Sequence, residues 1–290
     1  MSKQIDRLIT DALAIEAEEA KDAGALGYMA RGLVQATIPH SATPGSTFTR
    51  TNGNYKFSIT NPNAELPYGT VPRLLLAWLA TEAVTTQSRE LELGNNLSGF
   101  MRELDMVPTG GRWGNITRLK TQTNRLFSSF IQCSYSATDI KSGKVQTAVQ
   151  NMVIAKNASL WWEPKDAEQS TLFSSTVTLS QDFYDEIVCN PVPIDMRALK
   201  ALKQSSMGLD IYCWLTYRMS YLKKSTSIPW EGLQAQFGAG YPNDSQGTRN
   251  FKKKFLLHLK KVLVVYPEAR VSEGVSGLLI QPSKTHIPKL

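Results

Sequence analysis

Apolar residues recur at i, i+3, i+4, i+7 and i+8 through Ile5, Leu8, Ile9, Ala12 and Leu13, with acids between them. That period predicts an amphipathic helix over residues 3–21, closed by Gly24 and Gly27. Residues 38–66 are loop-rich, with Pro39, Pro44, Gly45 and Pro62. Within them the pattern changes to alternation: Phe48, Tyr55, Phe57 and Ile59 flank Asn52-Gly53, which predicts a two-residue hairpin. "YGTVPRLLLAWLATEAV" is apolar on all sides and predicts a buried helix, with Pro72 in the first turn, where a missing N–H costs nothing. "ELEL" (Glu90–Leu93) predicts a short strand and "NLSGFMRELDM" a short second helix. The turn "TGGRWG" leads into a third helix from Asn115 to about Gln132. "CSYSATDIKSGKVQTAVQNMVIA" then reads as two strands joined near Ser142-Gly143. Helix, helix, turn, helix, hairpin is the order of a winged helix-turn-helix.

The order recurs. "MGLDIYCWLTYRMSYL" is a buried helix, "IPWEGLQAQFG" a short one, "GTRNFKKKFLLHLKKVLVVY" a long basic one, and "EARVSEGVSGLLIQP" a closing hairpin. Trp78 and Trp214, Leu97 and Leu233, and Phe127 and Leu263 align at a single offset of 136 residues. "CNPVPIDM" marks a boundary near residues 189–196, followed by a linking helix from Met196 to Lys203. The expected fold is therefore α+β and helix-rich, with two tandem winged-helix domains and an N-terminal helix. The expected divisions are an extension of helix and hairpin over 1–65, a first winged-helix domain over 66–190 and a second over 191–290.

Charge sharpens this picture. The 290-residue chain carries a formal charge of +7, but residues 1–24 are net −3 and the remainder is +10. A basic body points to a polyanionic partner. Between Asp105 and Asp139 there is no acid, and the bases are Arg112, Arg118, Lys120 and Arg125. On the third helix, at 100° per residue, Ile116, Leu119, Thr123, Leu126, Phe127 and Phe130 share one face; Arg118, Thr121 and Arg125 lie opposite, with Gln122 beside them. The second copy repeats the arrangement. Phe251, Phe255, Leu259 and Val262 share a face, Arg249, Lys253 and Lys260 lie opposite, and Lys252, Lys254 and Lys261 flank them. No acid occurs from Ser245 to Pro267.

Arginine forks bond guanine edges, glutamine suits adenine, and lysines grip phosphate. The candidate DNA-binding residues are therefore Arg112, Asn115, Arg118, Thr121, Gln122, Arg125, Arg249, Lys252, Lys253, Lys254 and Lys260. The two basic helices are expected to grip one duplex in successive major grooves. The glycines Gly110, Gly111 and Gly114 are expected to allow a turn that brings helix-start N–H groups close to a phosphate. Trp113 either packs under that turn or lies against the sugar-phosphate backbone.

Other chemistries find no support. The glycines lack the lysine and hydroxyl of GxxxxGK[ST], so no nucleotide cradle is expected. His40, His258 and His286 are far apart, giving no metal pair, and His258 is expected to be packed or partly exposed. There is no GxSxG elbow. No enzyme activity, cofactor or metal is expected. Cys133, Cys189 and Cys213 are odd in number and widely spaced, which suits a reducing cytoplasm. The N-terminus has no apolar h-region and no run approaches a membrane span.

Several long stretches carry a family likeness: "GYMARGLVQATIPH", "LPYGTVPRLLLAWLATEAVTTQSRELELG", "FMRELDMVPTGGRWGNITRLKTQTNRLF", "STVTLSQDFYDEIVCNPVPIDMRALKAL", "LDIYCWLTYRMSYL", "IPWEGLQAQFG" and "FKKKFLLHLKKVLVVYPEARV". In these the chain resembles the plasmid-encoded RepA family of theta-type replication initiators. The resemblance implies a protein that binds repeated sites (iterons) in double-stranded origin DNA, promotes opening of adjacent AT-rich DNA and recruits the host replication initiator and the replicative helicase. It also implies autoregulation of its own promoter and a homodimer in equilibrium with a monomer. A winged-helix transcriptional repressor without initiator activity remains the alternative at this point. The acidic N-terminal helix matches no family function, and either packs on its own domain or docks a partner.

Overall fold

The computed structural model describes residues 3–94, 96–138, 145–160, 175–238 and 240–288, and its architecture is α+β. The acidic helix α1 (Lys3–Ala17) ends four residues earlier than its periodicity predicts. The chain then turns through Gly24, at φ +61°, into β1 (Leu26–Ala30) and the short α2 (Arg31–Gln35). The expected hairpin forms from β2 (Thr47–Asn52) and β3 (Tyr55–Thr60). Its two-residue loop is Gly53-Asn54, one residue later than the Asn-Gly pair suggests, with Gly53 at φ +56°. Cross-strand hydroxyl pairs fix the register: Thr47 with Thr60 and Thr49 with Ser58, each at 3.0 Å.

The apolar run becomes α3 (Thr70–Thr86), followed by β4 (Glu90–Glu92), α4 (Leu97–Glu103) and α5 (Asn115–Phe127). The third helix stops five residues short of the predicted end. Phe130 begins β5 (Phe130–Thr138) and is 55% exposed, not part of the helix's apolar face. A β-rich stretch after Phe127, with Ile131 and Cys133 alternating inward, wins over helix propagation. β6 (Val145–Val153) pairs antiparallel with β5; the turn predicted at Ser142-Gly143 lies outside the described residues. Then come β7 (Ala155–Ser159), β8 (Thr176–Leu179), α6 (Gln181–Cys189), β9 (Pro191–Asp195) and the linking helix α7 (Met196–Ala201). The last stretch comprises α8 (Ser206–Tyr221), β10 (Thr226–Pro229), α9 (Trp230–Phe237), α10 (Ser245–Val265), β11 (Val271–Glu273) and β12 (Gly277–Ile280).

The chain divides into two compact units. One contains residues 1–37, 50–56 and 192–290, the other residues 38–49 and 57–191. Residues 1–65, expected as an extension, are thus shared between them. The hairpin tip joins the first unit because Asn52 Nδ2 donates to Gln35 O (3.0 Å) and Tyr55 Oη to Gly32 O (3.1 Å).

In the unit built on residues 57–191, α3 is the core. Leu75, Leu79 and Ala83 are fully buried, and Trp78 meets Phe100 of α4 edge-on, with ring centroids 5.0 Å apart. Arg73 is buried too. Its guanidinium donates to the carbonyls of Ile38 (2.7 Å), Pro39 (3.1 Å) and Gly69 (2.6 Å), so it is the internal fastener of the proline-rich segment. In the other unit α8 plays the same part: Trp214 meets Phe237 of α9 edge-on at 5.4 Å, and α10 packs on α8, while its fully buried Phe255 meets Phe237 and Trp230 of α9 at 5.6 and 6.2 Å.

The two units share an element order that the sequence pattern only partly exposes. Helix, strand, helix, helix, strand, strand runs through α3-β4-α4-α5-β7-β8 and again through α8-β10-α9-α10-β11-β12. The sheets match as well, with orders β4-β8-β7 and β10-β12-β11. In both, the strand after the first helix pairs with the last strand. The β5–β6 hairpin, expected to close the first copy, instead joins β2 and β3 in a four-stranded sheet of order β2-β3-β5-β6. It is an insertion between α5 and the small sheet.

α1 lies on its own unit, against α10 and α7. Arg197 fastens its end, donating to Ala14 O (3.3 Å) and Glu18 O (2.7 Å) while forked on the buried Asp195 carboxylate (2.8 Å). The helix ends where Arg197 takes the Glu18 carbonyl and the chain enters the turn over residues 20–24, with Ala20 buried. Beneath it, Asp195 N–H donates to Tyr212 Oη (2.8 Å), which lies 2.8 Å from His286 Nδ1, and the Tyr266 ring lies 4.6 Å from the imidazole. His258 is half-buried, with Nδ1 3.0 Å from Ser205 Oγ. None of the three cysteines forms a disulfide. Among the described residues no helix is long and apolar enough to cross a membrane.

Candidate nucleic-acid interface

The turn before α5 is built at contact distance. Gly111 has φ +86°. Gly114 caps the helix in an extended conformation open to any residue, but a Cβ there would sit 2.2 Å from Thr109 O and 2.3 Å from Gly110 O. Thr109 closes the loop: its Oγ1 accepts from Asn115 N (2.9 Å) and its carbonyl from Ile116 N (3.2 Å). Gly114 N donates to Gly111 O (3.1 Å). Three successive N–H groups at the helix start are thus spent inside the turn. The expectation that they face a phosphate is corrected: the glycines serve the tightness of the turn.

Asn115 is a clamp as well as a candidate contact. Its Nδ2 donates to Val107 O (3.0 Å) and its Oδ1 accepts from Arg118 Nη1 (3.2 Å). Arg112 and Arg118 are exposed and Thr121 is half-exposed, as the helical period predicts. Gln122 is not available to a base. It is 7% exposed, and its Oε1 accepts from Tyr68 N–H at 2.8 Å. Arg125 is drawn the same way, half-buried, with Nε 3.6 Å from Glu65 Oε2 and its guanidinium 5.5 Å from the Tyr68 ring centre. Asn61 Nδ2 also donates to Arg125 O (3.0 Å). Residues 61–68 therefore lie along the edge of α5 that the sequence alone assigns to solvent. The outward stripe is rotated by about one residue, to Thr117, Arg118, Thr121 and Asn124.

α10 follows its predicted faces closely. Phe251, Phe255, Leu259 and Val262 are buried, and Arg249, Lys253, Lys254 and Lys260 are exposed. Asp244 caps it, accepting from Gly247 N at 2.6 Å. Gly247 allows close packing, since a Cβ there would fall 1.9 Å from Pro242 O. Lys252 is held inward, 2.7 Å from Glu273 Oε1 and 4.9 Å from the Trp230 ring centre. Lys260 lies about 10 Å along the axis from Lys253, where it lines a cavity of about 640 Å³ with Ile5, Leu8, Leu257 and Val264. It belongs to the α1 side of the helix, apart from Arg249 and Lys253.

The exposed group at the head of α10 includes two amides that charge-based reading misses. Gln246 Oε1 accepts from Arg249 Nη2 (2.8 Å), and Gln246 Nε2 donates to Asn250 Oδ1 (3.0 Å). Both basic helices thus present an arginine hydrogen-bonded to an amide three residues earlier: Asn115 with Arg118, and Gln246 with Arg249. The acid-free windows of the sequence also acquire acids from elsewhere in the fold, Glu65 beside Arg125 and Glu273 beside Lys252. Among the described residues no cluster of histidine, cysteine and carboxylate is placed to hold a metal.

The model of the plasmid-encoded RepA protein family matches residues 66–231, more than half of the chain. The chain belongs to the RepA family. The matched region contains α3, α4 and the whole of α5 and ends in α9, so the first basic helix lies inside the RepA match and α10 beyond it. Crystal structures of domains 2 and 3 of RctB share the fold. One, of residues 155–483, has 11% identity and a TM-score of 0.52, covering 86% of this RepA-family chain and 96% of that one. A selenomethionine derivative has 11% identity and a TM-score of 0.54, covering 88% and 96%. At that identity the likeness establishes fold, not residue roles. No curated protein sequence matches the chain. As a RepA family member, the protein is assigned to plasmid replication initiation.

Proposed function

We propose that this initiator acts by reading double-stranded origin repeats with two winged-helix units, promoting opening of adjacent DNA and recruiting the host initiator and replicative helicase. The observation that carries the reading is the repeated topology. In each copy of the repeated order the third helix carries exposed basic side chains, Arg118 on α5 and Arg249, Lys253 and Lys254 on α10, and follows a helix–strand–helix, and the strand pairs with the last strand of a small antiparallel sheet. That order supports a helix-turn-helix reading, in which the third helix would enter the major groove. Arg118 and Arg249, steadied by Asn115 and Gln246, are the proposed base-reading forks; Arg112, Lys253 and Lys254 are the proposed phosphate contacts. The protein needs no catalytic centre for this, and strand opening draws on binding energy.

Supplying the protein in trans to a plasmid that carries only its origin tests the reading. Replication should depend on the protein, and footprints on the origin should cover repeats. A protein that occupies its promoter but leaves such a plasmid unreplicated would be a repressor instead.

A further inference from the structure

We infer that Trp113 is a stacking platform for an unpaired nucleobase. The inference rests on the DNA-reading proposal above and assigns a distinct ligand to a residue outside its named duplex contacts. Trp113 is 83% exposed, so it does not pack under its turn. Along residues 96–129 the only other strongly exposed large apolar side chain is Val107, so the indole is a single ring, not part of a broad apolar patch.

The backbone under the ring is fixed on both sides. Gly114 is pressed against Thr109 O and Gly110 O, Asn115 holds Val107 O and Thr109 Oγ1, and Thr117 Oγ1 donates to Gly111 O (2.9 Å). The anchored backbone fixes where the ring is attached, which removes main-chain ordering from the entropy cost of stacking. The guanidinium of Arg112 lies 5.2 Å from the indole centre. The cation lies over one face of the indole, and the ring is otherwise exposed; in a segment without acids from Met106 to Thr138, this suits a base on the opposite face with its phosphate near Arg112. Paired bases inside a duplex hide their faces, so the occupant is a base already unstacked, as in single-stranded DNA or an opened origin.

The test uses the full chain with two fluorescent probes, a short single-stranded oligonucleotide of mixed sequence and an origin-repeat duplex. Trp113→Ala should weaken single-strand binding by about 5- to 150-fold and leave duplex affinity and thermal stability unchanged. Trp113→Phe, which keeps a ring, should recover most of the loss. Unchanged single-strand affinity in Trp113→Ala would overturn the platform while leaving duplex reading intact. So would a wild-type chain that binds the duplex but not the single strand. An equal loss on both probes, shared by Trp113→Phe, would make Trp113 a backbone contact and overturn stacking. A wild-type chain that binds neither probe would overturn both proposals.

Discussion

Gly114→Ala and Gly110→Ala place the same methyl group at two points of one turn, and the structure assigns them opposite outcomes. At Gly110 an added Cβ meets nothing within 4 Å. At Gly114 it would lie 2.2 Å from Thr109 O and 2.3 Å from Gly110 O, although the backbone there (φ −70°, ψ 161°) suits any residue. The penalty is therefore steric. Restoring ordinary contact requires the turn to open by about 1 Å, which costs about 1–3 kcal/mol as overpacking. Opening also lengthens the two bonds to Thr109 from Asn115 N and Ile116 N, worth about 0.5–1.5 kcal/mol each. The sum is a loss of about 2–6 kcal/mol for Gly114→Ala, against a change within about 0.5 kcal/mol for Gly110→Ala. Urea unfolding followed by circular dichroism reads both, with the slope checked for constancy. Because the displaced turn carries the start of α5, with Asn115 and Arg118, duplex affinity of Gly114→Ala should fall as well. Equal stability of the two variants would refute the reasoning, as would a Gly110→Ala protein that is the weaker.

Three further outcomes follow from named contacts. Arg118→Ala should cost about 1–3 kcal/mol on the preferred site and relax base preference, whereas Lys253→Ala should weaken all sequences and reduce the salt slope by about one; competition binding at several salt concentrations separates them. Gln122→Ala should cost about 1–3 kcal/mol of stability, because Tyr68 N–H loses its acceptor, while base preference in the same competition assay stays unchanged. Burial holds the His286 imidazole below its ordinary value, and Nδ1 faces the Tyr212 hydroxyl. Asp195 and Glu268 pull the other way, and Arg197 pushes further down. A depressed histidine contributes stability that is full above its unfolded value near 6.5 and is lost as pH falls toward the folded value. The melting temperature should therefore drop as the pH falls below about 6.5, and His286→Gln should flatten that drop.

Much of this architecture is legible in the chain. The all-round apolar runs around Trp78 and Trp214 can satisfy themselves only as buried helices, and both do. The 3.6-residue period of α10 places Phe251, Phe255, Leu259 and Val262 inward whatever else surrounds it. The Gly53 turn forms because glycine tolerates positive φ, a local property that needs no tertiary partner. These features depend on spacing and backbone chemistry, which a sequence contains in full.

The tertiary structure decided what lies beside each helix, because those neighbours come from distant parts of the chain. Tyr68 N–H takes Gln122 inward, Glu65 takes Arg125, and Glu273 takes Lys252, so three candidate contacts from acid-free windows find internal partners. The N–H groups at the start of α5 are spent on Thr109 and Gly111, a closure that glycine content alone does not reveal. The β5–β6 hairpin joins β2 and β3 and leaves β7 and β8 to pair with β4, since strand partnership is a choice among edges that alternation cannot rank. Trp113 shows the same division in reverse. Its composition suggests burial, yet the packed backbone beneath it leaves the ring no interior to enter.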